Sequence, residues 1–360
     1  MRSRGCDYVT RLRARLHFGR NAVLTLKDVI QFMPVRKTES RIPLNLQPSD
    51  LGQAVVAPDG RCTLVSFVTS PVVVNRENAY VVFITNAGLA ALASSFEWTF
   101  VEGGNPPQVQ TSQFGEVAHK ATNLGTLNIE VRVLDASNVE QAKLTMVQDV
   151  VPPSAELEAL ISESLNKPGP AIGSPDVLRE LINEHNLYYQ NVALQTAESG
   201  DAFKRFVFSV VYDGASRRKI EERKHDLDQL ALSLNDGTVD FTTLSAKGAG
   251  VCGIRLLLLS MTAPDMLEFT FLPEEPNKRS LALEQLLQAI GSLAENKRID
   301  LFNIVRFPKT NITFCGRILE TLRSKYFSTT TFEDVLTSSS GLRAQWIVAQ
   351  YVQGPVTRSP

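Results

Sequence analysis

The sequence lacks several features that would point to a compartment or a chemistry. Its four cysteines are Cys6, Cys62, Cys252 and Cys315, and no two of them have the C-x-x-C spacing of a zinc or redox site. We therefore expect four unpaired thiols. No apolar run approaches the roughly 18 residues that a membrane-spanning helix needs. The motifs G-x-S-x-G and H-E-x-x-H and the P-loop motif are missing.

The chain also has almost no net charge. It carries 37 Lys and Arg residues and 38 Asp and Glu residues, a net charge of -1, and 43% of its 360 residues are hydrophobic. This composition is that of a globular protein with enough apolar mass for a core. It excludes bulk nucleic-acid binding through an overall positive charge. The length predicts two or three domains at about 150 residues per domain.

The balanced total hides a basic N-terminal segment. Residues 1–41 contain ten basic and three acidic residues, a net charge of +7, which leaves -8 for the rest of the chain. Four interpretations stay open: a disordered tail, an arm that binds an acidic partner, an organellar transit segment, and an over-extended gene prediction with the true start at Met33. A standard secretory signal is not predicted, because no uncharged apolar core follows the arginines. The compartment therefore stays unassigned.

Residues 42–151 have the pattern of an antiparallel β domain. Phe96–Phe100 and Leu127–Val133 alternate apolar with polar residues, as a strand with one buried face requires. Further β-rich runs are Arg61–Thr69, Tyr80–Ile84 and Lys143–Val151, and residues 42–60 are predicted as a loop or an edge strand. Gly-, Pro- and Asn-rich turns separate the runs, which indicates an antiparallel sandwich.

After Pro152-Pro153 the hydrophobic period becomes helical, so residues 152–360 are predicted as an all-α domain. Helices are predicted over 155–165, 174–192, 201–210, 216–234, 244–262, 280–295, 312–326 and 341–353. The predicted fold class is therefore α+β and multidomain. Its parts are a basic segment over 1–41, a β-sandwich over 42–151 and an α-helical domain over 152–360.

Several short elements of the β block occur in a characteristic order. Phe96-Glu97-Trp98-Thr99-Phe100 is followed by the Gly-rich turn Val101–Asn105, then by His119, and then by an alternating strand after Leu124-Gly125. Over roughly residues 65–150 the chain resembles the PKD-like branch of the immunoglobulin-like sandwiches, although Ala121 and Leu127 replace aromatic residues of that family. The resemblance implies a small sandwich used for spacing or for binding proteins and glycans, and it does not imply catalysis. No family is assigned to residues 152–360.

The sequence Gly248–Gly253 matches the pattern G-x-G-x-x-G. A dinucleotide site needs a buried strand before this pattern, a helix after it and an acid about 20 residues further on. The preceding residues are polar and no such acid follows, so we interpret the glycines as a helix entry or a close helix contact. Cys252, near a predicted helix N-terminus, could act as a nucleophile only beside His185 or His225. The simpler interpretation is that Cys252 is buried.

No catalytic, cofactor-binding or metal-binding residue is predicted. The four histidines, His17, His119, His185 and His225, have no metal-ligand spacing, and His119 is expected at a sandwich edge. The glycosylation triplet at Asn311 directly precedes a predicted helix, so capping by Thr310 or Asn311 is the better interpretation. Paired carboxylates for glycan hydrolysis could come from Glu180, Glu184, Glu198 or Glu221.

These observations favour a non-enzymatic structural or interaction protein, an adaptor of a larger assembly. It would combine a PKD-like spacer or binding module with a helical docking domain. The alternative is a glycan- or cell-wall-directed hydrolase with acidic residues in the helical domain. A nucleotide-binding enzyme at Gly248–Gly253 is the third hypothesis. We expect protein partners, with a glycan as a second option, and neither nucleic acid nor a cofactor.

Overall fold

The computed structural model describes residues 41–43, 45–153, 248–259, 276–337 and 341–353, together with several single positions between 203 and 262. Contacts divide the chain into Met1–Pro34 and Val35–Pro360, and all described residues belong to the second unit. That unit has mixed α and β content, with antiparallel sheets in the N-terminal half and helices in the C-terminal region. None of the described helices is both long enough and apolar enough to cross a bilayer.

The N-terminal half contains two sheets and two short helices. Its strands are β1 (Gln53–Val56), β2 (Cys62–Ser66), β3 (Val72–Val73), β4 (Glu77–Ile84), β5 (Ser95–Glu102), β6 (Gln108–Ser112), β7 (Glu116–Lys120), β8 (Gly125–Leu134) and β9 (Glu140–Val151), and its helices are α1 (Pro48–Leu51) and α2 (Ala87–Leu92). The four-stranded sheet has the order β1-β2-β4-β7, and the five-stranded sheet has the order β3-β9-β8-β5-β6. All neighbours are antiparallel except β3 and β9, which form a short parallel pair. The alternation predicted over Phe96–Phe100 and Leu127–Val133 is confirmed in β5 and β8.

The two sheets differ in how many of their faces are buried. In β5 of the five-stranded sheet every second residue is buried, whereas all five residues of β2 in the four-stranded sheet are buried. One face of the four-stranded sheet contacts the five-stranded sheet, with the rings of Tyr80 and Phe100 5.6 Å apart. On its other face, Val65, Val81 and Phe83 pack with Leu51 and Phe307. The four-stranded sheet is therefore a middle layer between the five-stranded sheet and the helical region.

A polar cluster lies buried between the two sheets. Gln148 of β9 occupies an inward position, and its Oε1 accepts a hydrogen bond of 2.8 Å from the Tyr80 hydroxyl. Its Nε2 donates to Ser66 Oγ at 3.0 Å and to Val68 O at 2.8 Å, and Asn78 Nδ2 donates to the same Ser66 oxygen. Burial raises the pKa of Tyr80, so the phenol remains a neutral donor. Because buried polar atoms are costly unless paired, this cluster favours one alignment of the two sheets.

The described C-terminal region is mostly helical but includes one small sheet. Its elements are β10 (Gly248–Ala249), β11 (Ile254–Arg255), α3 (Leu256–Leu259), α4 (Pro276–Gly291), α5 (Glu295–Arg306), α6 (Pro308–Tyr326), α7 (Phe332–Thr337) and α8 (Leu342–Gln353). The expectation of an all-α region is wrong, because β10 and β11 pair in antiparallel register. Of the helix predicted over 244–262, the part over Gly248–Arg255 is wrong for the same reason, and the part over Leu256–Leu259 is confirmed as α3. The helices predicted over 280–295, 312–326 and 341–353 are confirmed in type, whereas α5 and α7 were not predicted.

The junction between α5 and α6 places an aromatic side chain on the four-stranded sheet. A proline disfavours helical geometry in the residue before it, and Phe307, which precedes Pro308, has an extended backbone with φ -80° and ψ 118°. Helix α5 therefore ends there, and α6 starts with proline at its first position. The Phe307 ring is fully buried, with its centroid 4.1 Å from that of Phe67 and 6.0 Å from that of Phe83.

Charged side chains complete the contact between helices and sheet. The buried guanidinium of Arg306 lies over the rings of Phe67, Phe302 and Phe307, and its Nη1 pairs with Glu116 Oε2 of β7 at 2.9 Å. On α5, fully buried Asp300 accepts a 2.9 Å hydrogen bond from Arg41, the last residue of the predicted basic segment. Since an unpaired buried charge costs several kcal/mol, roughly 3–5, these pairs hold the two regions in one arrangement.

We expect Phe307→Ala to lower the free energy of unfolding by about 4 kcal/mol, because it leaves a cavity between α6 and the four-stranded sheet. Urea unfolding monitored by circular dichroism measures this change. Leu342→Ala removes a leucine that is 63% exposed and serves as the control, with an expected change within about 0.5 kcal/mol. Equal losses in the two variants would contradict the role assigned to Phe307.

Candidate functional site

A carboxylate and an imidazole form a buried pair between the sheets. Glu102 and His119 are 2% and 4% exposed, and His119 Nε2 lies 3.2 Å from Glu102 Oε1. Because a carboxylate only accepts, Nε2 carries the proton and donates it. The other carboxylate oxygen accepts from the Thr122 amide and hydroxyl and from the Asn123 amide, at 2.8–2.9 Å. The His119 ring stacks on Phe100, with centroids 4.0 Å apart.

The environment of this pair shifts both pKa values downward. Burial by itself raises the pKa of Glu102, but hydrogen bonds from Thr122, Asn123 and His119 together bring it below its usual value. Burial lowers the pKa of His119, and the nearby carboxylate opposes that shift only in part. The pair is thus an ionised carboxylate beside a neutral imidazole, with both carboxylate oxygens already occupied. This arrangement ties the end of β5 to β7 and to the loop after it.

His119 lies on β7, an edge strand of the four-stranded sheet, as expected from the sequence, but its side chain is buried. Glu102 was not singled out in the sequence. A signal for it does exist, because the alternation that buries Phe96, Trp98 and Phe100 continues to residue 102. A carboxylate at a buried position of a strand indicates that hydrogen-bond donors lie next to it in the core.

The Gly248–Gly253 segment forms the β10–β11 hairpin, in which Ala249, Val251 and Cys252 are buried. The segment is a hairpin and not the start of a helix, but the alternative prediction of a close helix contact is confirmed, because Gly250 lies against Val305 O of α5 and the Asn311 amide of α6. The glycines do not stand between a buried strand and a helix as a dinucleotide site requires. Asn311 of α6 fills the turn: its Oδ1 accepts from the Cys252 amide at 2.7 Å and its Nδ2 donates to Ala249 O at 3.4 Å.

Asn311 lies within the first turns of α6 and does not cap the helix, contrary to the sequence prediction. The residue at the N-cap position is Phe307, which makes no side-chain capping bond. Asn311 is fully buried, so its side-chain amide bonds to the hairpin and is not accessible to solvent or to a glycan. The Tyr351 hydroxyl of α8 also holds the hairpin, since it donates to Cys252 O at 2.9 Å.

The remaining sequence candidates divide into two groups. Cys62, Cys252 and Cys315 are buried, and none of these three forms a disulfide. The other positions lie outside the described residues. They are Cys6, His17, Glu180, Glu184, His185, Glu198, Glu221 and His225. Within the described ranges, no group of three His, Cys, Asp or Glu side chains could hold a metal ion.

The five-stranded sheet has one solvent-facing surface, which we call the outer face. It consists of the side chains of β5, β6, β8 and β9 that alternate with the buried ones. One row across it joins Val101, Asn128 and Val147, in which Val147 is 55% exposed. The next row joins Val109, 60% exposed, to Thr99, Glu130 and Thr145. Neutral and β-branched side chains therefore dominate this part of the outer face.

Ion pairs occupy one end of the outer face. Arg132 of β8 bridges Glu97 and Glu140, at 2.7 and 2.8 Å, and Lys143 pairs with Glu130 at 2.9 Å. These side chains are about one third to one half exposed, so each pair adds at most about 1 kcal/mol. Their opposite signs leave the outer face without a strong field of either sign.

Comparison with known proteins assigns no family: no family model matches the chain, and a search of curated proteins gives no relative.

Because of the Glu102–His119 pair, we expect the free energy of unfolding to decrease as the pH is lowered. The folded pKa of His119 lies below its usual 6.5, so its contribution is complete above pH 6.5 and is lost as the pH falls below that value. Glu102 adds a further loss below its usual 4.5. Between pH 7.5 and 5.5 we expect wild-type stability to fall by at most about 1.4 kcal/mol per pH unit, the limit for one proton.

Urea unfolding at a series of pH values measures this dependence. His119→Gln keeps a donor but does not titrate, so we expect a flatter profile above pH 5.5. Lys120→Gln, at the exposed neighbouring position, should keep the wild-type slope. The same slope in His119→Gln as in wild type would assign the dependence to another group.

Gly250→Ala tests the packing of the hairpin. Gly250 has φ +73°, and a Cβ there would clash with Val305 O and the Asn311 amide. Gly104 has φ +82° with open space around it, so Gly104→Ala carries only the left-handed backbone cost of about 1 kcal/mol. We expect a loss of at least about 3 kcal/mol in unfolding free energy for Gly250→Ala. Similar losses for both variants would show that the clash is relieved at little cost.

Proposed function

We propose that this chain is a non-enzymatic interaction protein, an adaptor of a larger assembly, which binds a protein partner through the outer face of the five-stranded sheet. The observation that carries the proposal is the unequal covering of the two sheets. The central strands β2 and β4 of the four-stranded sheet are largely packed on both faces, whereas the five-stranded sheet exposes Val109 and Val147 among neutral side chains. Exposed apolar groups with polar neighbours are the usual composition of an interaction surface.

We also propose that the two sheets form a PKD-like sandwich that acts as the binding module. The fully buried Trp98 supports this proposal, as does the inward position of His119. The helical region would then be the docking domain that fixes this module within the assembly. The ion pair of Arg306 with Glu116 of β7 supports a rigid connection between the two.

The buried polar groups of the described region agree with a structural use. Both oxygens of Glu102 accept hydrogen bonds from the protein itself, and the side-chain amide of Asn311 is hydrogen-bonded to the β10–β11 hairpin. A general acid must instead reach a substrate proton. The hydrolase alternative therefore depends on Glu180, Glu184, Glu198 and Glu221, which are not among the residues described.

Quantitative pull-down with the full chain tests the proposal. Asn128→Arg/Val147→Glu changes two facing positions of the outer face and adds a cross-strand ion pair that preserves the sheet. Leu281→Glu/Gln285→Arg makes the matched change at exposed positions one turn apart on α4. We expect the first variant to lose at least one captured protein by about tenfold or more, because the new charges must be desolvated on binding.

The control variant should retain that protein at the wild-type level. Equal capture by both variants would contradict the outer face as the binding surface. Capture of no protein by wild type, together with release of reducing sugars from a glycan substrate, would favour the hydrolase.

A further inference from the structure

The sequence contains a single Asn-x-Ser/Thr triplet, Asn311-Ile312-Thr313, and the structure places it within α6. Such a triplet is the acceptor of N-linked glycans, and in folded glycoproteins it lies at the surface. The transfer bonds the anomeric carbon of a sugar to the asparagine Nδ2, while the bond from that carbon to a lipid diphosphate breaks and Nδ2 loses one proton. Asn311 therefore has the chemistry of an acceptor at a position where a glycan has to be accommodated inside the protein.

The folded chain has no room for a sugar at Asn311. The residue is fully buried, and its neighbours Thr310 and Ile312 on α6 are buried as well. On the side of the β10–β11 hairpin, a single Cβ added at Gly250 would already clash with the Asn311 Nδ2. Because protein interiors are close-packed, a sugar ring bonded to that nitrogen fits only if the hairpin moves away from α6.

Such a movement would break the contacts that hold the hairpin in the helical region. The Asn311 Oδ1 accepts from the Cys252 amide at 2.7 Å, and its Nδ2 donates to Ala249 O at 3.4 Å. The Tyr351 hydroxyl of α8 donates to Cys252 O at 2.9 Å. Ala249, Cys252 and Tyr351 are all buried, so separating these elements would also expose their apolar surface to water. A glycan on Asn311 is therefore accommodated only when the hairpin, α6 and α8 lose their contact.

We infer that an N-glycan on Asn311 and the folded helical region exclude each other. A molecule that is glycosylated before it folds cannot dock the hairpin on α6, and a molecule that folds first hides its acceptor nitrogen. This restricts the compartment, which the sequence leaves unassigned, to one in which Asn311 stays unmodified until the chain has folded. The inference does not rest on the proposed partner at the outer face, and it applies equally to the hydrolase alternative.

Cell-free translation of the full chain behind a cleavable secretory signal, with and without microsomes of the endoplasmic reticulum, tests this inference. A mass shift on treatment with an N-glycosidase reports Asn311 alone, because the sequence has no second triplet. Thr313→Ala removes the triplet and Thr313→Ser keeps it, at a half-buried position whose hydroxyl donates to Lys309 O of the same helix. The lifetime of the α6 segment in trypsin under native conditions, followed separately for glycosylated and unglycosylated molecules, measures folding.

We expect trypsin to digest α6 at least about tenfold faster in glycosylated wild type than in wild type made without microsomes. Thr313→Ser should behave like wild type, whereas Thr313→Ala should be equally resistant with and without microsomes. If part of the wild type folds before the transfer, its resistant molecules should carry no glycan, as the inference requires. Glycosylated molecules as resistant as unglycosylated ones would overturn the inference. So would a loss of resistance in Thr313→Ala caused by microsomes, because a glycan on Asn311 would then not be the cause.

Discussion

Pro308 keeps Phe307 out of helical geometry, and the Phe307 ring then packs against Phe83 of the four-stranded sheet and against Phe67, which directly follows β2. The other layers depend on this contact. It closes the second face of the sheet, and it brings Arg306 into a position where three aromatic rings and Glu116 compensate its buried charge. A dipeptide that ends one helix and begins the next thus fixes the helical region to the β region.

Covering strands β2 and β4 of the four-stranded sheet on both sides leaves the five-stranded sheet with the solvent-facing surface of alternating side chains. Its alternating strands place Trp98 and Phe100 inward and neutral or paired side chains outward. The buried polar groups Gln148 and Glu102 are hydrogen-bonded within the core, so they hold the two sheets together and leave the outer face to carry the interactions. This division of roles is why the proposed partner surface lies on the five-stranded sheet.

The sequence predicted those parts of the fold that depend on local patterning. Strands β5 and β8 and helices α6 and α8 carry clear periods of two or about 3.6 residues, and all four were identified. Helix α5 was missed because its charged Asp300 and Arg306 are buried through partners distant in the chain, which no local pattern shows. The β10–β11 hairpin was taken for a helix because its tight turn is stabilised by Asn311, roughly sixty residues away. The inward positions of Glu102 and Gln148 could have been inferred, since both continue an apolar alternation.

The two longer edge strands of the N-terminal sheets, β6 and β7, differ in charge and in their contacts with the helical region. Strand β7 ends the four-stranded sheet with Glu116 and Lys120, and Glu116 is paired with Arg306 of the same chain. A second β7 brought alongside would bring these charges out of water, and the ion pair with Arg306 would compete with it. Strand β6 has no charge to desolvate and no ion pair to break. Of these two edges, β7 is thus fixed by a charged contact with the helical region, whereas β6 contributes no charged side chain to its edge.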